Sequence, residues 1–496
     1  VDGARVREVM PQLAPVPLED SREGVISHSR TVPYRVIFPL PYKFCPIAFD
    51  QHDTGNAVQS FRKRLNRDLP TPLPGMLVRL HTFVQTWCEA NLHPLNAVES
   101  FDEWLAHLNF NMNRKLQYLE SAKEHNFGRP SLRLCHHVDT FIKLESYPEF
   151  KYPRLINSRC DAFKAYAGRF FHSIEEAVYA STMNGHPIFI KHVPVIERPE
   201  MVSRLLKTGK YFYGTDFTAY ESHFTPSLMN SIECVMYKYM LKNYPEDGDF
   251  ICRVLTGKNK LHTRNGFKAS VLGRRMSGDM CTSLGNGFSN LMLALFIAAE
   301  HGLRLDGFVE GDDGVFSTDG HLDSNWYTQC GFTIKMVQLA SPLEASFCGI
   351  ISDGINIIRD PVKFIVSLCH AHSVSSYPKN HKYLDSLLKG KALSALYETP
   401  NCPIVSELAH LALKVTGDAV AEYQTDWYHK TPPAFTLLKP NISGAARILF
   451  QEKYNITVEE QLHVERELRS GRLDALNVLN PHPDCLHMAL LYRRES

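Results

Sequence analysis

The chain has 496 residues, 44% of them hydrophobic, and its 54 Lys+Arg against 53 Asp+Glu leave a formal charge of +1. So much apolar content excludes disorder, 28 Gly and 29 Pro are too few for a collagen-like chain, and no apolar run reaches bilayer length, the longest being Leu291 to Ala299 before Glu300. At first reading the near-zero net charge also argues against a nucleic-acid partner, whose phosphates attract basic proteins.

The length suggests two or three domains, or one large fold with subdomains. Twelve Cys is an ordinary density and includes no CxxC pair. Cys135-His136-His137 and Cys485-Leu486-His487 lack a second pair at zinc-finger spacing and are read as packing residues. The chain opens on Val1 with no charged-then-apolar leader, so its native start is expected upstream and a reduced, cytosolic protein is the expectation. Asn441-Ile-Ser and Asn455-Ile-Thr are then chance matches to the glycosylation pattern.

Residues 1–75 are Pro-rich (Pro11, Pro15, Pro17, Pro33, Pro39, Pro41, Pro46, Pro70, Pro72, Pro74) and predict extended segments, with one basic helical piece at Phe61–Arg67. From Met76 to Glu124 the apolar spacing is helical, as in Phe101, Trp104, Leu105 and Leu108. Tyr211–Phe217 is aromatic and reads as a strand. Thr225-Pro226 then opens a helix carrying Leu228, Ile232, Val235, Met236, Tyr239 and Met240 on one face. A long helix is predicted from about Ser283 to Glu300, and two short strands across Leu305–Thr318. Beyond residue 375 helical spacing dominates, with a Thr457-x-x-Glu460 capping box ahead of a helix through Arg469. The outline is α+β with a helical C-terminal third.

Three segments carry chemistry. Phe308-Val-Glu-Gly-Asp-Asp-Gly-Val-Phe316 sets Asp312 and Asp313 on a tight turn, where two carboxylates repel unless a cation neutralises them; oxygen ligands suit Mg²⁺. Asp216 ends the aromatic strand, with Glu221 five positions later. Two-metal phosphoryl transfer needs carboxylates from more than one segment, and Asp216 is placed to supply one. Ser277-Gly-Asp-Met-Cys-Thr282-Ser-Leu-Gly-Asn286-Gly-Phe-Ser-Asn290 lies between them. Thr282, Asn286 and Asn290 fall on one helical face, a pattern able to read hydroxyl groups. Each segment also has a bland reading: a solvated hairpin turn, an N-capping Asp and a surface helix.

In this order Asp-x4-Glu, Ser-Gly-x3-Thr-x3-Asn and Gly-Asp-Asp resemble motifs A, B and C of viral RNA-dependent RNA polymerases. Gly331-Phe-Thr-Ile-Lys335 resembles motif D. Ser346-Phe-Cys-Gly349 with Arg359-Asp-Pro-Val-Lys363 resembles the motif E region. Phe141-Ile-Lys143-Leu-Glu145, Lys151-Tyr-Pro-Arg154-Leu-Ile156 and Arg159 resemble motif F, in wording nearest the tombusvirus- and nodavirus-like positive-strand enzymes. The resemblance covers roughly residues 141–363 and departs at Glu221, where the family usually has Asp.

The resemblance implies a right-hand polymerase with an RRM-like antiparallel palm sheet and a helical thumb. It divides the chain into fingers and fingertip segments at 1–205, palm at 206–224, a fingers insertion at 225–276, palm again at 277–372, and thumb at 373–496. Asp216, Asp312 and Asp313 would bind two Mg²⁺ ions, with Mn²⁺ as a substitute, and Lys335 would protonate pyrophosphate. Lys143, Lys151, Arg154 and Arg159 would line the nucleotide channel, while Glu221, Ser277, Thr282 and Asn286 would read the ribose and position the template base. Implied partners are an RNA template and nascent strand, NTPs, and other viral replication or capsid proteins. The expected place is a replication complex in the host cytoplasm, or the virion, with no membrane anchor in this chain.

A reverse transcriptase, a metal-dependent nuclease and a polymerase-like RNA-binding or capsid-associated subunit are the competing classes. The polar ribose-reading residues weigh against the first two, and the converging acids against the third. The charge objection also weakens locally. Arg253 to Arg275 holds seven Lys/Arg and no acid, and Lys143 to Arg169 has six basic residues against three acidic ones. Basic walls around an acidic centre sum to nearly zero and still hold RNA.

Overall fold

The computed structural model describes residues 5–8, 30–31, 34–38, 42–191, 193–264, 266–372, 381–422 and 440–488. The extended segments expected around Pro11, Pro15, Pro17, Pro33, Pro39 and Pro41 lie outside the described residues, as do residues 373–380 at the expected start of the thumb. After a short strand β1 (Arg5–Glu8), the first α-helix among the described residues is α1 (Thr54–Arg64). It starts earlier than the basic run suggests because the Asp53 carboxylate caps it, accepting from the Asn56 N–H at 2.9 Å. Helices α2 (Met76–Asn91), α3 (Phe101–His107) and α4 (Met112–Glu124) follow where the apolar spacing put them.

Strands β2 (His137–Ile142) and β3 (Leu155–Arg159) precede α5 (Asp161–Tyr179), and β4 is Tyr211–Phe217. Thr225 caps the next helix as predicted, but that helix is broken. Ile232 leaves helical geometry at φ −124° and ψ −86°, separating α6 (Pro226–Ser231) from α7 (Glu233–Met240). The predicted apolar face survives the break, since Leu228, Ile232, Met236 and Met240 are all buried. Helix α8 (Pro245–Leu255) leads to β5 (Lys258–His262) and β6 (Lys268–Leu272). These strands form one five-stranded sheet in the order β1-β6-β5-β2-β3.

Helix α9 (Thr282–Glu300) leads into the hairpin β7 (Leu305–Glu310) and β8 (Asp313–Thr318), and then β9 (Ile334–Leu339). They build a four-stranded antiparallel sheet in the order β7-β8-β4-β9, so the two acid-bearing segments become neighbours in its middle. Alternation along the strands covers both faces. Tyr213, Phe217, Val309 and Phe316 pack with α5 and α9, whereas Phe308, Val315 and Leu339 pack with Met201, Val202, Leu205 and Phe347. By length and composition α9 reaches bilayer-spanning size, which the apolar run Leu291–Ala299 alone does not suggest. It is a core helix, with Leu291, Met292, Leu293 and Ala294 completely buried. No other helix among the described residues is both long and apolar enough to cross a membrane.

The C-terminal part is helical, as expected: α10 (Pro361–Cys369), α11 (His381–Glu398), α12 (Val405–Thr416), α13 (Gly444–Tyr454) and α14 (Val458–Arg469). Both bonds of the Thr457–Glu460 capping box are made. Its separate core joins Ile365, Leu388, Leu408, Phe450, Val464 and Leu468.

Candidate active site

The β7–β8 hairpin turns through Gly311 and Asp312, with Glu310 paired to Asp313. Gly311 sits at φ 58°, where a side chain is strained, so the turn requires glycine. Asn290 of α9 braces the turn from below, its amide donating to the Gly311 and Asp313 carbonyls at 3.2 Å each. It therefore does not serve the hydroxyl-reading role its helical face suggested. The ladder between β8 and β4 ends at Gly314 and Thr215, so Asp313 and Asp216 are the next residues along their strands. On the other side Lys335 is the cross-strand partner of Asp216. Paired residues project to the same face, which places this ammonium beside that carboxylate.

Asp216, Glu221, Asp312 and Lys335 line one open cleft of about 1270 Å³. Asp216, Asp312 and Asp313 form no ion pair among the described residues. Burial, followed by the charges of Asp216 and Glu221, raises the Asp312 pKa. Burial and the neighbouring Asp312 and Asp216 push Asp313 up to about 7, against a partial offset from a hydrogen bond with Cys348. A cation placed between these carboxylates would relieve the repulsion.

The cleft wall is basic. Lys151 and Arg154 line it and are held by carboxylates, Lys151 by Glu149 at 2.8 Å and Arg154 Nε by Glu145 at 2.8 Å. Lys143, expected on the channel wall, also pairs with Glu145 but is not among the residues lining the cleft. Burial opposes ionisation of Glu145, yet Arg154 and Lys143 outweigh it and keep its carboxyl below the usual range. More of the wall comes from α1 and the residues after it, Arg62, Lys63, Arg64 and Arg67, and Arg359, Lys363 and Lys391 line the cleft as well. Arg64 donates to Glu221 at 3.0 Å, and Arg67 to the Thr218 carbonyl at 3.1 Å.

Four expected nucleotide-site residues lie behind the cleft. Ser277 Oγ donates to the Leu155 carbonyl at 2.7 Å, and Thr282 Oγ1 to that of Asp279 at 2.7 Å. Asn286 Oδ1 accepts from Arg275 Nε at 2.9 Å, while the Arg275 backbone N–H binds the Glu221 carbonyl at 3.0 Å. Arg275 thus ties Glu221 to Asn286. Arg159 corrects the sequence reading. Its side chain is 0% exposed and cannot line a channel in this conformation. It donates to Asp279 at 2.9 and 3.1 Å, to Asn259 at 2.7 Å and to the Cys135 carbonyl at 2.8 Å, locking β3 to the loop that starts α9. Gly278 docks in that same loop, where a Cβ would meet the Asn157 carbonyl oxygen at 2.8 Å.

A family model described as viral RNA-dependent RNA polymerase matches residues 57–475. The chain belongs to the viral RNA-dependent RNA polymerase family. It is also 25% identical over 266 residues to the RNA-directed RNA polymerase of Groundnut rosette virus (strain MC1), a match covering 50% of this chain and 31% of that protein. The chain thus spans about a third of that relative's length. In this family member, sequence reasoning left Arg64, Arg67 and Cys348 out of the site. The basic run Arg62-Lys-Arg-x-x-Arg67 was the available signal for the first two, and the Ser346-Phe-Cys-Gly349 segment for the third.

Proposed function

We propose that this chain is the catalytic part of a viral replicase. It would transfer ribonucleoside monophosphate from NTP to an RNA 3′-hydroxyl on an RNA template and release pyrophosphate. The carrying observation is that Asp216 and Asp312, from separate segments, face one cleft walled by Arg and Lys. In this reading the four-stranded sheet is the palm, the five-stranded sheet with α1–α5 the fingers, and the C-terminal helices the thumb. Primer extension on RNA tests it directly.

The donor set fits hard divalent cations: it is all carboxylate, Asp312 and Asp313 have raised pKa values, and none of the three acids is in an ion pair among the described residues. Asp216 and Asp312 would hold two Mg²⁺ ions, with Asp313 in support and Mn²⁺ as a substitute. Such ions supply positive charge at the attacking and leaving oxygens. Arg154 and Lys151 would exchange Glu145 and Glu149 for the triphosphate, since guanidinium and ammonium groups bind phosphate as they bind carboxylate. Lys335, beside Asp216, would donate a proton to the departing pyrophosphate. Ser277, Thr282 and Asn286 would shape the ribose and template-base pocket through the loop they brace. Partners would be RNA template, nascent strand and NTPs, with viral replication or capsid proteins joining in the host cytoplasm or the virion.

Glu221 is one methylene longer than the usual Asp, and that length is used in its contact with Arg64. We read α1 as the strut that fixes the ribose-sensing acid. Glu221→Ala should lower rNTP-over-dNTP preference about tenfold, the worth of one charged hydrogen bond, about 1.4 kcal/mol. Arg64→Ala should move it the same way by less. Single-nucleotide incorporation with matched rNTP and dNTP measures both, and an unchanged ratio in Glu221→Ala removes this acid from sugar selection.

Asp313 gives a pH prediction. A folded pKa near 7 lies above the unfolded value of about 4, so between these limits the native chain holds a proton that the unfolded chain has lost. Without cations, stability from this group therefore falls as pH rises through that window, and above it cation binding relieves the repulsion. Thermal melting should show a larger Mg²⁺-induced rise at pH 8 than at pH 6, with the difference reduced in Asp313→Asn. Equal rises at both pH values in the wild type would contradict this.

A further inference from the structure

Away from the cleft, Glu99, His107 and His172 converge on the outer side of the α3–α5 packing. Glu99 directly precedes Ser100, the N-cap of α3, His107 is the last residue of α3, and His172 lies in α5. The two oxygens of Glu99 lie 3.2 Å from His107 Nδ1 and 3.0 Å from His172 Nδ1. One donor atom from each residue falls within 4.8 Å of the other two. Tetrahedral Zn²⁺ with bonds of about 2.0–2.2 Å needs donors roughly 3.3 Å apart, and each imidazole nitrogen already lies at that length from one of the two Glu99 oxygens.

A carboxylate accepting from two imidazoles is satisfied without a metal, so the distances alone do not decide. Three further features do. The donors sit on separate elements and bracket α3 at both ends. That helix has seven residues, too few to be stable alone, and its middle packs on α5 through Trp104 against Gly168 and Ala165. The approach of Glu99 is itself held, because its backbone N–H donates to Ser173 Oγ at 3.2 Å and that hydroxyl donates to the Arg169 carbonyl at 2.9 Å. Finally, the His107 side chain is 55% exposed, which leaves a coordination position open to water.

We propose that Glu99, His107 and His172 form a structural site for Zn²⁺ or a similar borderline divalent ion, which pins both ends of α3 to α5. Two imidazoles and one carboxylate favour such an ion over Mg²⁺, which prefers oxygen donors alone. The site is therefore chemically separate from the carboxylate cleft and does not rest on the polymerase reading.

The full chain, stripped with chelator and held in excess Mg²⁺, is titrated with Zn²⁺ and, in parallel, with Co²⁺. The His107→Asn variant and the His107→Asn/His172→Asn double variant are treated identically. The wild type should retain one more Zn²⁺ per chain than either variant, show a visible Co²⁺ absorption band they lack, and gain a higher melting midpoint with Zn²⁺. Equal metal retention and equal melting shifts in wild type and His107→Asn would overturn the proposal. His107 is half exposed and outside the cleft, so unchanged Mg²⁺-dependent RNA synthesis by His107→Asn verifies that this variant is folded.

Discussion

Asp312→Asn should reduce nucleotide incorporation by about 1,000-fold or more, since charge stabilisation at the reacting phosphorus is the main contribution asked of the protein. The change keeps shape and removes one negative charge from the turn between β7 and β8. Asn290 grips the backbone of that turn rather than the Asp312 side chain, so the hairpin should keep its form. In the proposed reading the basic wall from Arg62 to Arg67 with Lys151 and Arg154 holds the RNA, so RNA binding should stay within about twofold. Single-turnover incorporation and filter binding measure the two effects separately. Undiminished synthesis by purified Asp312→Asn would remove this carboxylate from the chemistry.

Arg159→Ala should destabilise the fold by about 3–5 kcal/mol, the usual cost of leaving one member of a buried ion pair unpaired. The effect is large because Asp279 is buried and loses its ion-pair partner, and because Asn259 and the Cys135 carbonyl lose donors at the same time. Asp279→Ala should cost a similar amount. An Arg159→Met/Asp279→Leu double variant should recover part of the loss, since neither charge then remains buried. Urea unfolding followed by fluorescence measures the series, and a single-variant cost under about 1 kcal/mol would contradict the pairing. The singles should also slow incorporation, because the Ser277–Gly278 loop is fastened to β3 through this pair.

The acidic floor of the cleft was legible because it is local. Asp312 and Asp313 lie on a glycine-flanked turn between apolar strand residues and Asp216 ends an aromatic strand, and it is the order of the motifs they resemble, not periodicity, that pointed to a shared role. The four-stranded sheet then joins those segments because each strand has two apolar faces to cover. Roles set by distant partners were not legible. Arg64 is 157 residues from Glu221 in sequence, and Arg159 is 120 residues from Asp279. An arginine in a basic segment looks the same whether it meets solvent phosphate or a buried carboxylate. For the same reason Arg159 was placed on the channel wall and Asn290 on a hydroxyl-reading face, whereas one locks a loop and the other braces a turn. The net charge of +1 misled in a related way, because it averages the basic wall with the acidic floor.

The most direct measurement of the central claim is extension of a labelled RNA primer on an RNA template by this chain alone. It is run with rNTPs or dNTPs, with and without Mg²⁺, beside a self-priming hairpin. The account predicts template-directed, Mg²⁺-dependent products from rNTPs on both substrates, and little product from dNTPs. Products from dNTPs equal to those from rNTPs, or nucleolytic shortening of the primer in place of extension, would contradict it.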